Sequence, residues 1–176
     1  MRKFIDLHLH LDGSVPVATV KKLMKEHNMP ALSDEELRQE LSVDSSCKSL
    51  DQFLEKFALP NKLMQTRHDL ETIVYDLLVE LKQQGLVYAE IRFAPQLHTK
   101  KGLTQEDAIE AVISGLNKFL ADQKKQKTLP ELHAGLILCL MRFADNQKQN
   151  METVKLAKKF LGKGVVGLDL AGAEGP

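Results

Sequence analysis

The stretch TRHDLETIVYDLLVELKQQGLVYAEIRFA, residues 66–94, contains a complete helix-to-strand step. Leu70, Ile73, Val74, Leu77, Leu78 and Leu81 recur at the three- and four-residue spacing that aligns one face of a helix, and Gly85 stands where a C-terminal cap is needed. The spacing predicts a helix over 66–84, the longest of the chain. At Leu86 the period changes, and residues 86–94 read as a strand.

Working outward, the same step recurs on both sides. Downstream, a loop containing Pro95 leads to a helix from Thr104 with the stripe Ile109, Val112, Ile113, Leu116, Phe119 and Leu120. A buried strand over 134–141, a helix near 151–161 and a strand over 165–170 follow. Upstream, residues 4–11 read as a strand ended by the turn Asp12-Gly13-Ser14, and residues 16–28 carry a helical pattern in Val17, Val20, Leu23 and Met24. Ser33 with Glu36 forms a capping box for a short helix. Ser49 with Gln52 opens another, whose apolar positions Leu50, Phe53, Leu54 and Phe57 precede Pro60, expected to stop it.

Strands alternating with amphipathic helices imply an α/β fold, with a parallel sheet wound as a barrel or as an open doubly wound sheet. The interval between the first two strands is too long for one crossover helix, so that unit carries an insertion of short helices, where such folds build lids. A closed eight-stranded barrel needs roughly 250 residues. Four strands are readable here, and residues 171–176 follow the last one without a covering helix, so the expectation is an unfinished sheet.

Composition narrows the class only a little. With 176 residues, 43% of them hydrophobic, the chain can bury one sizeable core. Lysine plus arginine equals aspartate plus glutamate, so no overall field recruits nucleic acid or an anionic membrane. The basic run Lys124–Lys127 reads as a solvated loop. Cys47 and Cys139 lack a C-x-x-C partner and read as free thiols, with Cys139 buried and inert, which favours a reducing compartment. Asp6 stands where a secretory leader would need an apolar run, and no window has the apolar length of a membrane span, so the cytoplasm is expected.

His8 and His10 carry the first chemical signal. Two apart on a strand, they project from one side of the pleat and can reach one metal ion, at the strand end where barrel enzymes gather their chemistry. Taken alone, the pair also fits two structural histidines on a half-buried strand, and Asp12-Gly13 also fits an ordinary turn. His27, His68, His98 and His133 read as surface or packing residues, with His133 at the wrong end of its strand.

The run His8-Leu9-His10-Leu11-Asp12-Gly13-Ser14 resembles the metal-binding opening of the adenosine deaminase family in the amidohydrolase superfamily. Four more segments resemble the family in order: the apolar gate helix with Leu50, Phe53, Leu54 and Phe57, then Tyr88–Pro95, Leu138–Arg142 and Gly167–Gly172. The resemblance implies a TIM (β/α)8 barrel of which residues 1–176 are the N-terminal half of a single domain, with the helical insertion after the first strand. It implies Zn2+ as cofactor with His8 and His10 as ligands, and a substrate site of His10, Asp12 and Gly172 under the gate. Asp12 would take the ribose 5'-hydroxyl, and Gly172 would present its backbone to purine N3.

The reaction implied is hydrolytic deamination of adenosine or deoxyadenosine to inosine and ammonia. The remaining ligands and the proton-transfer acid are expected on later strands, so no catalytic group is expected within 1–176, and this segment alone is expected to be inactive. A carboxylate at Asp12 disfavours a phosphorylated substrate, and related adenine deaminases carry glutamate there. Ala173 and Phe143 depart from residues often polar in the family, while Asp169 and Glu174 are candidates for polar contacts. Self-association, or pairing with the missing C-terminal half, is expected to cover the open sheet edges. Two alternatives stay open: a non-catalytic purine-binding or interaction protein, and another amidohydrolase-family deaminase.

Overall fold

The computed structural model describes residues 3–127, 130–142 and 144–173. Four strands, β1 (Phe4–His10), β2 (Leu86–Phe93), β3 (His133–Met141) and β4 (Val165–Ala171), form one parallel sheet in the order β1-β2-β3-β4. Each crossover steps to the adjacent strand in the same direction. An open doubly wound sheet reverses direction at a switch point, so this order is that of a barrel wall. The wall does not close across the described residues.

The crossovers are α5 (Arg67–Gln83), α6 (Gln105–Gln126) and α7 (Gln147–Phe160). Thr66 with Asp69 and Thr104 with Asp107 form full capping boxes that fix where α5 and α6 begin. The longest helix is α6, with 22 residues against 17 in α5, and this corrects the sequence expectation. The basic run is part of the reason. Lys124 and Lys125 occupy the last turn of α6, where positive side chains favour the unpaired carbonyls, and Lys127 caps it in the left-handed conformation. The expected solvated loop is therefore a helix end.

Helix α7 starts four residues earlier than periodicity suggested, because Gln147-Lys148-Gln149-Asn150 has no apolar stripe to mark it. The loop at Pro95 is a 3-10 turn over Pro95–His98.

Between β1 and β2 the insertion folds as α1 (Val17–Glu26), α2 (Asp34–Leu41), α3 (Leu50–Glu55) and α4 (Ala58–Leu63). The capping box of Ser33 and Glu36 opens α2 as expected. Pro60 does not stop a helix. The break comes at Lys56 and Phe57, and Pro60 sits in the first turn of α4, where no amide hydrogen is required.

The core lies between the outer face of the sheet and the helices. Leu70, Ile73, Val74 and Leu78 of α5 and Ile109, Val112 and Leu116 of α6 are fully or almost fully buried together with Ala89, Ile91 and Phe93 of β2 and Leu136 and Leu138 of β3. Helices α5 and α6 meet at Gly115, where an added Cβ would stand 2.4 Å from Val74 Cγ1 and 2.5 Å from the Glu71 carbonyl oxygen. The side chains of Ile5 and Leu7 on β1 and of Val166, Leu168 and Leu170 on β4 remain exposed at the two edges of the wall. Among the described residues no helix is long and apolar enough to cross a membrane.

His98 is a packing residue, fully buried with its ring 5.9 Å from that of Phe93. Neither ring nitrogen has a hydrogen-bond partner. Burial pushes the imidazole down to about 4, and the Met64 backbone acts in the opposite direction without reaching hydrogen-bond geometry. His68 and His133 are exposed at the surface, and His27 pairs with Asp69 Oδ1 at 2.8 Å.

Gly115→Ala adds a better helix former by about 1 kcal/mol, but the overlap with α5 costs about 1–3 kcal/mol. A lower midpoint in urea unfolding is expected, and an unchanged or raised midpoint would show that the two helices part freely. For His98 the unfolded chain protonates near 6.5 and the folded chain only near 4, so its contribution is complete above pH 6.5 and is lost as pH falls through 4. The difference corresponds to about 3 kcal/mol. His98→Leu should flatten the fall in stability across that window, measured by urea unfolding at stepped pH; parallel curves for the two proteins would contradict it.

Candidate functional site

The site begins with an irregularity in β1. Asp6 is in register with Ala89 and Leu9 with Ile91, so three steps along β1 match two along β2. This bulge frees the backbone of Leu7 and His8 from the ladder. The Asp6 carboxylate accepts the His8 N–H at 2.9 Å, and the Leu7 carbonyl accepts from Arg92 Nη2 at 2.8 Å.

The imidazoles of His8, within the bulge, and of His10, beyond it, lie together, with ring centroids 5.5 Å apart and planes tilted by 45°. An ion bonded to a nitrogen of each ring would stand about 3 Å from each centroid, so rings sharing it lie within about 6 Å of one another. The pair meets that condition. Burial first, and then the charge of Arg92, lower the His10 pKa, which favours the neutral ring with a lone pair to offer a metal. Among the described residues no group of three or more His, Cys, Asp or Glu is placed to hold a metal ion, and the two imidazoles offer two donors between them.

Arg92 underlies the pair. It is buried on β2, in register with His10, and its Nη1 donates to Asp169 Oδ2 on β4 at 2.8 Å. Burial would raise the Asp169 pKa, but hydrogen bonds from Arg92 and from the Leu170 N–H hold it below the usual carboxylate range. The Cys139 thiol lies 3.9 Å from Asp169 Oδ2. Burial, reinforced by the Asp169 charge, pushes that thiol up to about 12, so it is inert as expected.

Asp12 lies in the turn that follows β1. It is only 7% exposed, because α4 folds over the turn and Asn61 Nδ2 donates to Asp12 Oδ2 at 3.3 Å. Burial raises its pKa to about 6, with Asn61 and the backbone of Asp12 and Gly13 opposing. Oδ1 nevertheless has no donor in hydrogen-bond geometry. Gly13 is not in the left-handed region, so it is not needed for the turn. It is needed for space: a Cβ there would stand 2.9 Å from Phe57 Cε1 and 3.4 Å from His10 Cβ.

The expected gate helix is two pieces. Leu50, Phe53 and Leu54 belong to α3, while Phe57 is the N-cap of α4. Phe57 stands edge-on to His10 with centroids 6.2 Å apart, and Phe53 packs on Phe57 at 5.4 Å. Leu50 and Phe53 are otherwise half exposed. Gly172 follows β4 at the same end of the sheet as His10, with φ at +104° and its carbonyl accepting from Arg142 Nη1 at 3.3 Å. Phe143 and Glu174 lie outside the described residues.

His8, His10, Asp12 and Phe57 are therefore gathered at one place, with Gly172 at the same end on β4. Sequence reasoning missed Arg92 and Asn61 as parts of it. The signal for Arg92 was available, as a cation between Ile91 and Phe93 in a strand otherwise suited to burial. Asn61, one polar residue in a short helix, carried no such signal. A separate polar cleft of about 460 Å³ between α2 and α3, lined in part by Arg38, Cys47 and Lys56, contains none of the site residues.

The family model described as adenosine deaminase matches residues 4–176. The adenosine deaminase of Haemophilus ducreyi is 49% identical over 176 residues, covering 97% of this chain and 49% of that protein. The chain spans about half the length of the curated relatives it matches. Among solved structures, Arabidopsis ADAL complexed with GMP superposes with a TM-score of 0.75 at 27% identity, over 97% of this chain and 49% of that one. An amidohydrolase from Burkholderia ambifaria with bound Zn gives 0.75 at 20% identity, over 97% and 44%, and bears on the fold alone. The fold is thus of the (β/α)8-barrel type.

Replacing Arg92 tests the framework under the histidines. Arg92→Met leaves the Leu7 carbonyl without its donor and Asp169 without its cation, and the loss of one partner from such a pair costs about 3 kcal/mol. A fall of that order in unfolding free energy is expected, and a loss below about 1 kcal/mol would show that the bridge is not needed to hold β1 and β4.

Proposed function

The chain belongs to the adenosine deaminase family, and we propose that it forms the metal- and nucleoside-binding half of an enzyme that hydrolyses adenosine or deoxyadenosine to inosine and ammonia. The observation that supports this best is the grouping of His8 and His10 with the buried carboxylate of Asp12 beneath Phe57. In this reading residues 1–176 are the N-terminal half of one barrel domain, and the other ligands and the proton-transfer acid belong to strands beyond it.

His8 and His10 would hold Zn2+, which when bound supplies Lewis acidity toward the water that adds at C6 of the purine. The chain's own residues bind and orient. Asp12 accepts the ribose 5'-hydroxyl through the oxygen that has no other donor. Gly172 offers its backbone to purine N3, and its positive φ makes any side chain there strained. Leu50, Phe53, Leu54 and Phe57 cover the purine and exclude water from it. The carboxylate at Asp12 favours a nucleoside over a nucleotide, because a phosphate placed there meets a like charge. The exposed apolar side chains on β1 and β4 suit pairing with the second half of a barrel or with another copy. A cytoplasmic location accords with the buried free thiol of Cys139.

The test follows adenosine absorbance with the chain alone, and then with the chain joined to the second half of the family length and loaded with zinc. Loss of a proton-transfer group costs about 10² to 10⁴ in rate, so the chain alone should show no turnover and the joined protein should deaminate adenosine. A joined protein that leaves adenosine unchanged would overturn the activity, and rapid turnover by the chain alone would overturn the division of labour. Zinc should bind the chain alone weakly, since stable protein sites use three or four ligands. Zinc retained stoichiometrically through dialysis against a mild chelator would contradict the two-ligand reading.

A further inference from the structure

Two buried acceptors on one hydrogen-bonded pair lack donors. Asn61 donates Nδ2–H to Asp12 Oδ2, while Asp12 Oδ1 and Asn61 Oδ1 are both buried without a hydrogen-bond partner. The orientation of the amide is not free. A carboxylate only accepts, so the Asn61 nitrogen must face Asp12 and its oxygen must point elsewhere.

Asn61 is also held from behind. Gln65 is buried and donates from Nε2 to the backbone carbonyls of Asn61 at 2.6 Å and Leu97 at 2.9 Å, while its Oε1 accepts the Lys100 N–H at 2.9 Å. These bonds tie α4, and with it the backbone that carries Asn61, to the turn after β2. Buried polar atoms in folded proteins nearly always find partners, and two unpartnered acceptors at one place mark a seat for a donor. The side-chain partner of Asp12 here is a neutral amide rather than a cation, which suits an uncharged donor such as a hydroxyl and not a phosphate.

We propose that Asn61 is a further specificity-determining residue, forming with Asp12 a two-acceptor seat for the sugar hydroxyl of a nucleoside. This rests on the function proposed above. The hydroxyl donates to Asp12 Oδ1, and a water donates one hydrogen to Asn61 Oδ1 and the other to the hydroxyl oxygen, so that every polar atom of the seat is paired. Asn61 thereby sets the carboxylate in place and extends recognition to the solvent shell of the same hydroxyl.

The test compares adenosine with 5'-deoxyadenosine in the joined, zinc-loaded protein, for the natural residue and for Asn61→Leu and Asn61→Ala. Thermal unfolding checks that each variant is folded, and Asn61→Ala carries the test if leucine does not fit. The kcat/KM for adenosine should fall about tenfold, while that for 5'-deoxyadenosine, which lacks the hydroxyl, should stay within about twofold. Discrimination between the two compounds should therefore drop about tenfold. Equal losses for both would show that Asn61 only packs α4, and no loss for either would show that the acceptors are served by water alone; both results overturn the inference while leaving adenosine deamination standing. Failure of the unaltered protein to deaminate either compound would instead remove the proposed function and this inference together.

Discussion

Arg92 reaches two strands that are not adjacent to each other. Its side chain meets the Leu7 carbonyl on β1 and the Asp169 carboxylate on β4, with β3 lying between β2 and β4. In a flat sheet, strands two places apart are separated by about 9.6 Å, so a single guanidinium closes that span more readily where the sheet curves toward it. The same ion pair keeps a buried charge compensated. Curvature, neutralisation of the interior and support for the histidine strand thus depend on one side chain, which is why the site cannot be separated from the barrel wall that carries it.

The bulge in β1 provides the other half of that support. By lifting Leu7 and His8 out of the ladder it presents the carbonyl that Arg92 takes and leaves the His8 amide to Asp6. The two groups belong to one trans peptide and point to opposite sides, so in a regular strand one of them would have faced β2. The irregularity contains His8 and ends before His10, consistent with the use of bulges to re-aim side chains beside sites of chemistry.

The insertion between β1 and β2 makes two contacts with the site residues in one short span. Phe57 closes over His10 through space left by Gly13, and one turn further Asn61 meets Asp12. Gln65 then fastens α4 to the turn after β2. The aromatic contact to His10 and the polar contact to Asp12 are thus made by one short element, α4 and its N-cap.

Strands and helices whose information is local were legible in the order of residues. Ser33 with Glu36 and Ser49 with Gln52 marked helix starts, the leucine stripe marked α5, and the alternation of His8 and His10 put both rings on one face of a strand. The sequence also carried the family resemblance, since motifs are local strings. It misjudged Pro60 and the start of α7, where propensity is weak and packing decides. The burial of Asp12, the choice of Asn61 as its partner and the span of Arg92 came only from the tertiary structure. Those contacts join residues 49, 85 and 77 positions apart, and no local spacing records which distant side chain the folded chain brings to a buried charge.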